Sequence, residues 1–234
     1  EPSSKKRVVK DMIIDKSDFW EKHAAIKPYV VADVDPHPTH ETKQSIAEFN
    51  NFLDSDLCIQ CGACHYSCPA LEVNPEFFGP AAFAAAYRFT VDTRDTAGAE
   101  RLELTAQPAQ GVWDCVKCFE CAEACPKEIN PIEKITKLHN LQFEQGIAES
   151  NVATRHAEGF LRGIKKYGYL DEADIVTYSE GYLGVYKHIG AAMKMMKSGK
   201  IHWHSGIPFI DSIPKIKNLD EVQKLIEISQ TNKL

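Results

Sequence analysis

Every cysteine of this chain falls into one of two short runs, and that clustering constrains the fold more than any other feature. The first run, CIQCGACHYSCP, places Cys58, Cys61, Cys64 and Cys68 before Pro69. The second, CVKCFECAEACP, places Cys115, Cys118, Cys121 and Cys125 before Pro126. Each is a C-x2-C-x2-C-x3-C-P pattern, the spacing of bacterial-type four-iron clusters. Three thiolates two residues apart on a tightly turning backbone can converge on three irons of one cubane. The fourth, after a longer step, points away and serves the other cluster. On that spacing Cys58, Cys61, Cys64 and Cys125 are expected to hold one [4Fe-4S] cluster, and Cys115, Cys118, Cys121 and Cys68 the second. The proline after each fourth cysteine ends the local turn and removes a backbone donor, and Gly62 gives backbone freedom where side chains would crowd the site.

Other cysteine chemistries fit less well. Structural zinc also takes four thiolates, but zinc ribbons use two separated C-x2-C pairs rather than a repeated triplet followed by C-P. Thiols two residues apart rarely meet disulfide geometry without strain, and a thioredoxin-like motif needs only one C-x2-C beside a βαβ pattern.

Composition bounds the partners. With 234 residues, 44% apolar, and 27 basic against 33 acidic residues, the chain reads as one or two ordinary globular domains of net charge −6. That balance supplies no basic field for nucleic acid and points to protein partners. Two four-iron clusters would carry the formal charge to roughly −10. The longest apolar stretch, Pro80 to Val91, is broken by Arg88 and falls short of the roughly 20 residues of a membrane span. The first twenty residues lack a signal-peptide core, and a start at Glu1 reads as a piece of a longer protein.

Periodicity predicts helices more than strands. A helix capped by Ser17 is expected to run to Ile26, and ADVDPHPTH (Ala32 to His40) reads as a connector. Gly79-Pro80 opens an alanine-rich buried helix over Ala81–Phe89, after which VDTRDTAGAERLE reads as a polar turn region. Asn130 as cap, Pro131 and Glu133 begin a helix whose stripe is Ile132, Ile135, Leu138 and Leu141, stopped by Gly146. Further helices are expected over Val152–Tyr167, ending at Gly168, and Leu219–Ile228, capped by Asn218 with Glu221 in the capping-box place. The fold class is therefore mainly α: an α-helical ferredoxin domain with two [4Fe-4S] clusters (46–148), preceded by a linker (1–45) and followed by a helical extension (149–234).

The stretch from CIQCGACHYSCP through ALEVNPEFFGPAAFAAAYRFTVDTRDT, followed by CVKCFECAEACPKEINPIEKI, closely resembles the C-terminal domain of the iron-sulfur subunit of succinate dehydrogenases and fumarate reductases. VVKDMIIDKSDFWEKHAAIKPYV resembles the linker that precedes it, so the likeness covers roughly residues 7–145. The resemblance implies a missing N-terminal domain with its own [2Fe-2S] cluster, since no cysteine precedes Cys58. It implies a non-catalytic electron-transfer subunit of an oxidoreductase in the respiratory chain and tricarboxylic acid cycle. Its partners would be a flavoprotein subunit and a membrane or cysteine-rich quinone-linked subunit. Two departures stand out. Cys118 fills a position that the common respiratory enzymes leave without cysteine, and Glu72, Val73 and Val116 stand where those enzymes place a tryptophan pair and a histidine against quinone. In this the pattern is more similar to the branch that includes 8-methylmenaquinol:fumarate reductase, in which a separate cysteine-rich subunit exchanges the electrons.

Two alternatives stay open: a subunit of a heterodisulfide-reductase-like or glycolate-oxidase-like complex, which would not share the AAYRFTVDTRD helix, and a non-redox zinc scaffold. The chain is expected on the cytoplasmic side of the membrane as a peripheral subunit, the periplasmic side being the alternative. His65 and Lys117, inside the runs, are candidate tuning residues. Gly181 to Ile210 contains no acid but has Lys187, Lys194, Lys197 and Lys200 among Tyr182, Tyr186, Met193, Met195, Met196 and Trp203, the pattern of either a docking face or a solvated helix. His202 and His204 read as surface residues.

Overall fold

A computed structural model describes residues 4, 7–32, 41–148, 150–199 and 215–231. The chain divides into two compact units, residues 1–149 and 150–234. The described part is mostly helical, with a single two-stranded antiparallel ribbon, β1 (Val8–Lys10) and β2 (Ile13–Ile14).

The first unit is built on two helices. α5 (Pro80–Thr90) follows Gly79, whose φ of 89° suits glycine, and Pro80 occupies the first turn where its missing donor costs nothing. Pro80, Ala81, Ala82, Phe83, Ala84, Ala86 and Tyr87 are all buried, so α5 is covered on nearly every side, as an apolar all-round helix must be. α8 (Pro131–Glu144) packs against it through Ile132, Ile135 and Leu138. Leu141 is partly buried beside them, and Gly146, at φ 67°, follows the end of α8. Short helices connect and flank the pair: α2 (Ile46–Asn50), α3 (Ala63–Tyr66), α4 (Pro69–Val73), α6 (Gly98–Leu104) and α7 (Glu120–Glu123). α1 (Ser17–Ala25) lies on the same core, with Phe19 and Ile26 buried in it.

Three local expectations are corrected. Ser17 is the first helical residue rather than the cap: its N–H donates to Asp15 Oδ1 at 2.9 Å, so the carboxylate upstream satisfies the orphan donor. Asn130 precedes α8 in a left-handed conformation (φ 51°), not the extended one of a side-chain cap, and it is its carbonyl that accepts from the Glu133 N–H at 3.1 Å. The segment VDTRDTAGAERLE is a turn only in its first half; Gly98–Leu104 is helical, with Arg101 and Leu102 buried.

That first half carries a knot of charge. Asp92, whose side chain is fully buried, accepts from Arg88 at 2.6 Å and from Arg94 at 2.7 and 2.9 Å. Burial alone would raise its pKa, but the hydrogen bonds from Arg94 and Arg88 hold the carboxyl well below the usual carboxylate range. Asp95 pairs with buried Arg101 at 3.0 Å, and Arg101 Nε donates to the Ile26 carbonyl at 2.9 Å, tying the end of α1 to α6. Gly111 closes this region: a Cβ there would stand 2.4 Å from the Thr105 carbonyl oxygen.

Behind the second cysteine run, α8 contributes a polar network. His139 Nε2 donates to the Val112 carbonyl at 2.9 Å, so the ring is neutral with its proton on Nε2, and it lies 4.3 Å centroid to centroid from Trp113. Trp113 Nε1 donates to Gln142 Oε1 at 2.7 Å, and Gln142 Nε2 donates in turn to Thr105 Oγ1 at 3.2 Å. Burial lowers the His139 pKa to about 4.

In the second unit, α9 (Val152–Tyr167) is opened by an Asn151–Thr154 capping box and closed by Gly168 at φ 83°. α10 (Glu172–Lys197) packs on it and is interrupted at Gly181, and α11 (Leu219–Thr231) lies against α9, Gln223 Nε2 donating to the Lys165 carbonyl at 2.9 Å. Beyond Gly181, Tyr182, Leu183, Tyr186, Ile189 and Met193 are exposed alongside the lysines. Lys200, His202, Trp203 and His204, and most of the Ala32 to His40 connector, lie outside the described residues.

Two stability measurements follow. Asp92→Asn leaves two arginines without their buried partner and should cost about 3 kcal/mol in urea unfolding at pH 7. Because the folded pKa of Asp92 is depressed, its contribution is complete above the unfolded value of 3.8 and is lost as pH falls through the folded one. For His139 the folded pKa of about 4 lies below the unfolded 6.5, so the unfolded chain protonates first and stability falls with pH below 6.5. Between pH 7.5 and 5.5 that loss is about 1 kcal/mol, and His139→Gln should flatten the stability profile by the same amount.

Candidate iron-sulfur site

The two runs fold as near copies of each other. In the first, Gln60 and Gly62 take left-handed φ of 53° and 83°; in the second, Lys117 and Phe119 take 52° and 67°. The turn that glycine makes without strain in one run is therefore made by a phenylalanine in the other, a conformation that L residues rarely adopt. Each turn then enters a four-residue helix, α3 or α7. A Cβ on Gly62 would meet the Tyr66 ring at 2.9 Å, so the close approach needs glycine as much as the dihedral does.

Backbone N–H groups turn toward sulfur. Gln60 N–H donates to the Cys58 thiol and Lys117 N–H to the Cys115 thiol, while Cys68, immediately before α4, accepts from the N–H groups of Ala70 and Leu71. Such donors favour the thiolate form that a metal requires.

Electrostatic interaction links thiols of the two runs into two neighbouring quartets. Cys125 of the second run stands close enough to Cys58 and Cys64 for their charges to repel, with Cys61 beside them. Cys68 of the first run stands in the same relation to Cys115, Cys118 and Cys121. Cys64 and Cys121 also interact, so the quartets adjoin. Cys68, Cys115, Cys118 and Cys121 line one small cavity, walled by Pro80 of α5 and by Ile132 and Ile135 of α8. Cys61 and Cys118 reach the surface, whereas Cys64, Cys68 and Cys121 are buried.

Burial and like-charge neighbours push the Cys58, Cys64, Cys68, Cys115 and Cys121 thiols up, Cys121 to about 12. Four thiolates can share so small a volume only with a cationic core between them. Soft sulfur donors, apolar walls and inward N–H groups fit an iron-sulfur core. Among the described residues no three His, Cys, Asp or Glu side chains close on a point sized for one ion.

α1 completes the first run from outside. His65, with its side chain 3% exposed, lies 3.1 Å from Asp18 Oδ2, and Asp18 Oδ1 forms an ion pair with Arg7 at 2.7 Å. Burial lowers the His65 pKa, although Asp18 opposes it. Lys16, Asp18 and Phe19 all reach the first run, a contribution that no spacing in the sequence announces; the one signal was the resemblance of this segment to a linker. Glu72 lines a cavity of about 830 Å³ between α1 and α4, together with Arg7, Lys22 and His65. Val73 and Val116 are exposed.

Comparison with known proteins gives the arrangement its relatives. Residues 54–129, which span both runs and α5, match the 4Fe-4S dicluster domain. The chain is 37% identical over 148 residues to the fumarate reductase iron-sulfur subunit of Haemophilus influenzae, covering 58% of this chain and 57% of the relative. It is 37% identical over 138 residues to that of Mycobacterium tuberculosis, covering 58% and 56%. Against the 8-methylmenaquinol:fumarate reductase iron-sulfur subunit of Wolinella succinogenes it is 28% identical over 203 residues, covering 86% of this chain and 62% of the relative. The chain thus spans little more than half the length of the curated relatives it matches. Residues 54–129 thus match a 4Fe-4S dicluster domain, and the chain is similar to the iron-sulfur subunits of fumarate reductases and succinate dehydrogenases.

Proposed function

We propose that this chain relays single electrons through two [4Fe-4S] clusters, one held by Cys58, Cys61, Cys64 and Cys125 and the other by Cys115, Cys118, Cys121 and Cys68, as part of a succinate dehydrogenase or fumarate reductase. When bound, such a cluster takes up and releases one electron at a potential that its surroundings set. The observation that supports the reading is the electrostatic proximity of Cys125 to Cys58 and Cys64, and of Cys68 to Cys115 and Cys121. Adjoining sites let charge pass between them without motion of the protein.

The protein's part is to place and tune. α5 and α8 wall the second quartet on its buried side, and the N–H groups of Gln60, Lys117, Ala70 and Leu71 offset charge on sulfur. On this reading residues 46–148 are the cluster-bearing domain, 1–45 the linker from a [2Fe-2S] domain and 149–234 an extension. The partners are a flavoprotein that interconverts succinate and fumarate, and a membrane or cysteine-rich quinone-linked subunit. Exposed Val73 and Val116 and the polar Glu72 support electron transfer to such a subunit in place of direct quinone contact. No described helix is long and apolar enough to cross a membrane, which agrees with a peripheral position, here assigned to the cytoplasmic side. The three relatives named above favour this reading over a heterodisulfide-reductase-like or glycolate-oxidase-like complex.

Anaerobic purification should give about eight irons and eight acid-labile sulfides per chain, with broad visible absorbance; zinc without sulfide would overturn the reading. Cys118→Ser should convert the second cluster toward a three-iron form, seen as a new EPR signal in the oxidised protein while the first cluster is unchanged. Loss of the first cluster instead would refute the ligand assignment.

A further inference from the structure

One cation outside both cysteine runs touches the first of them. Lys16, the residue before α1, places Nζ 3.1 Å from the carbonyl oxygen of Gln60 and 3.1 Å from that of Cys61. Its stem passes Gly62, where a Cβ would lie 3.5 Å from Lys16 Cε. The ammonium stands 4.9 Å from the Phe19 ring centroid and 5.4 Å from that of Trp20. Among the described residues no carboxylate oxygen lies within 4.0 Å of it, while Asp15 and Asp18 are its neighbours in sequence.

The two carbonyls that it holds belong to consecutive peptides. A trans peptide is planar, with its N–H opposite its C=O. Drawing the Gln60 and Cys61 carbonyls outward to Lys16 therefore turns the N–H groups of Cys61 and Gly62 the other way. The preceding N–H, that of Gln60, donates to the Cys58 sulfur. Left-handed Gln60 and Gly62 curve these peptides into a concave row of donors of the kind that stabilises anions. Lys16 fixes the outer rim of that row and adds a positive charge to it.

We propose that Lys16 is a positioning residue for the first site: it orients the Cys58–Gly62 backbone and, through its charge, raises the reduction potential of the group held by Cys58, Cys61, Cys64 and Cys125 relative to the other. An added electron is negative charge placed beside a cation and inward dipoles, so the reduced form gains more from Lys16 than the oxidised form does. The inference rests on the cluster assignment proposed above.

The test is film voltammetry of the whole chain reconstituted under anaerobic conditions, with iron content measured alongside. The native protein should show two one-electron waves; their absence, with no bound iron, refutes the cluster assignment and with it the tuning by Lys16, whereas failure of the Lys16 variants in iron-loaded protein refutes the role of Lys16 alone. In Lys16→Met one wave should move to more negative potential, with a several-fold fall in the reduced fraction at the native midpoint, while the other stays. Lys16→Gln, which can still donate one hydrogen bond, should shift the same wave, and Lys16→Arg should restore it. Two unmoved waves in Lys16→Met, a common shift of both, or an arginine variant displaced as far as methionine would overturn the proposal. If Lys16→Met loses iron from one site, Lys16→Gln decides: a shifted wave sustains the proposal and an unshifted one ends it.

Discussion

The packing of α5 against α8 is the contact on which the cysteine-bearing unit depends. Cys68 and Cys115 are far apart in the chain, and no local turn can bring them together. α5 lies between the runs in sequence and α8 follows the second run, so their contact fixes where both runs must lie. Alanine at positions 81, 82, 84 and 86 lets backbone approach backbone, and Phe83 fills the remaining space against Phe77 and Phe78. The same helices then supply the apolar walls of the second quartet through Pro80, Ile132 and Ile135. Core and site are one structure here, and a cavity opened between the helices would displace sulfur as well as weaken the fold.

Around that pair, the segment before the first run behaves as part of the site rather than as a tether. Asp18 meets His65, Lys16 meets the carbonyls of Gln60 and Cys61, and Phe19 lies edge-on to His65. Arg101 and Asp95 hold the other end of α1 through the carbonyls of Ile26 and Lys27 and the N–H of Val31. The residues of YRFTVDTRD that carry the resemblance to the respiratory iron-sulfur subunits are thus an electrostatic clasp. Arg88, Asp92, Arg94 and Asp95 fasten neighbouring segments and touch no sulfur among their hydrogen bonds and ion pairs. A buried clasp of this kind contributes modest net stability, since desolvation offsets most of the attraction, but it is costly to break on one side.

Where sequence reading succeeded, the signal was local and strong. The buried alanine helix, α8 with its stripe and Gly146, and α9 from Val152 to Tyr167 were all legible from periodicity and terminal glycines or prolines. It failed where a neighbour in space did the work expected of a neighbour in sequence. Ser17 was displaced as a cap by Asp15, Asn130 turned left-handed and met the Glu133 N–H with its carbonyl, and Gly98–Leu104 became a helix because Arg101 and Leu102 found burial and partners in tertiary contacts. Phe119, in a conformation more usual for glycine, was invisible because its strain is offset by the run around it and not by its own side chain.

By itself the sequence determined where the sulfur lies along the chain: eight thiols in two matched runs, at spacings that a backbone of fixed bond lengths can turn into only a few arrangements. Tertiary structure alone decided what surrounds them. It set how deeply each sulfur is buried and which distant side chains, Lys16, Asp18 and His139 among them, come within reach. The physical reason is range. Covalent geometry acts over a few residues and is written in the spacing, whereas burial, charge and hydrogen bonding act through space and exist only once the helices have packed.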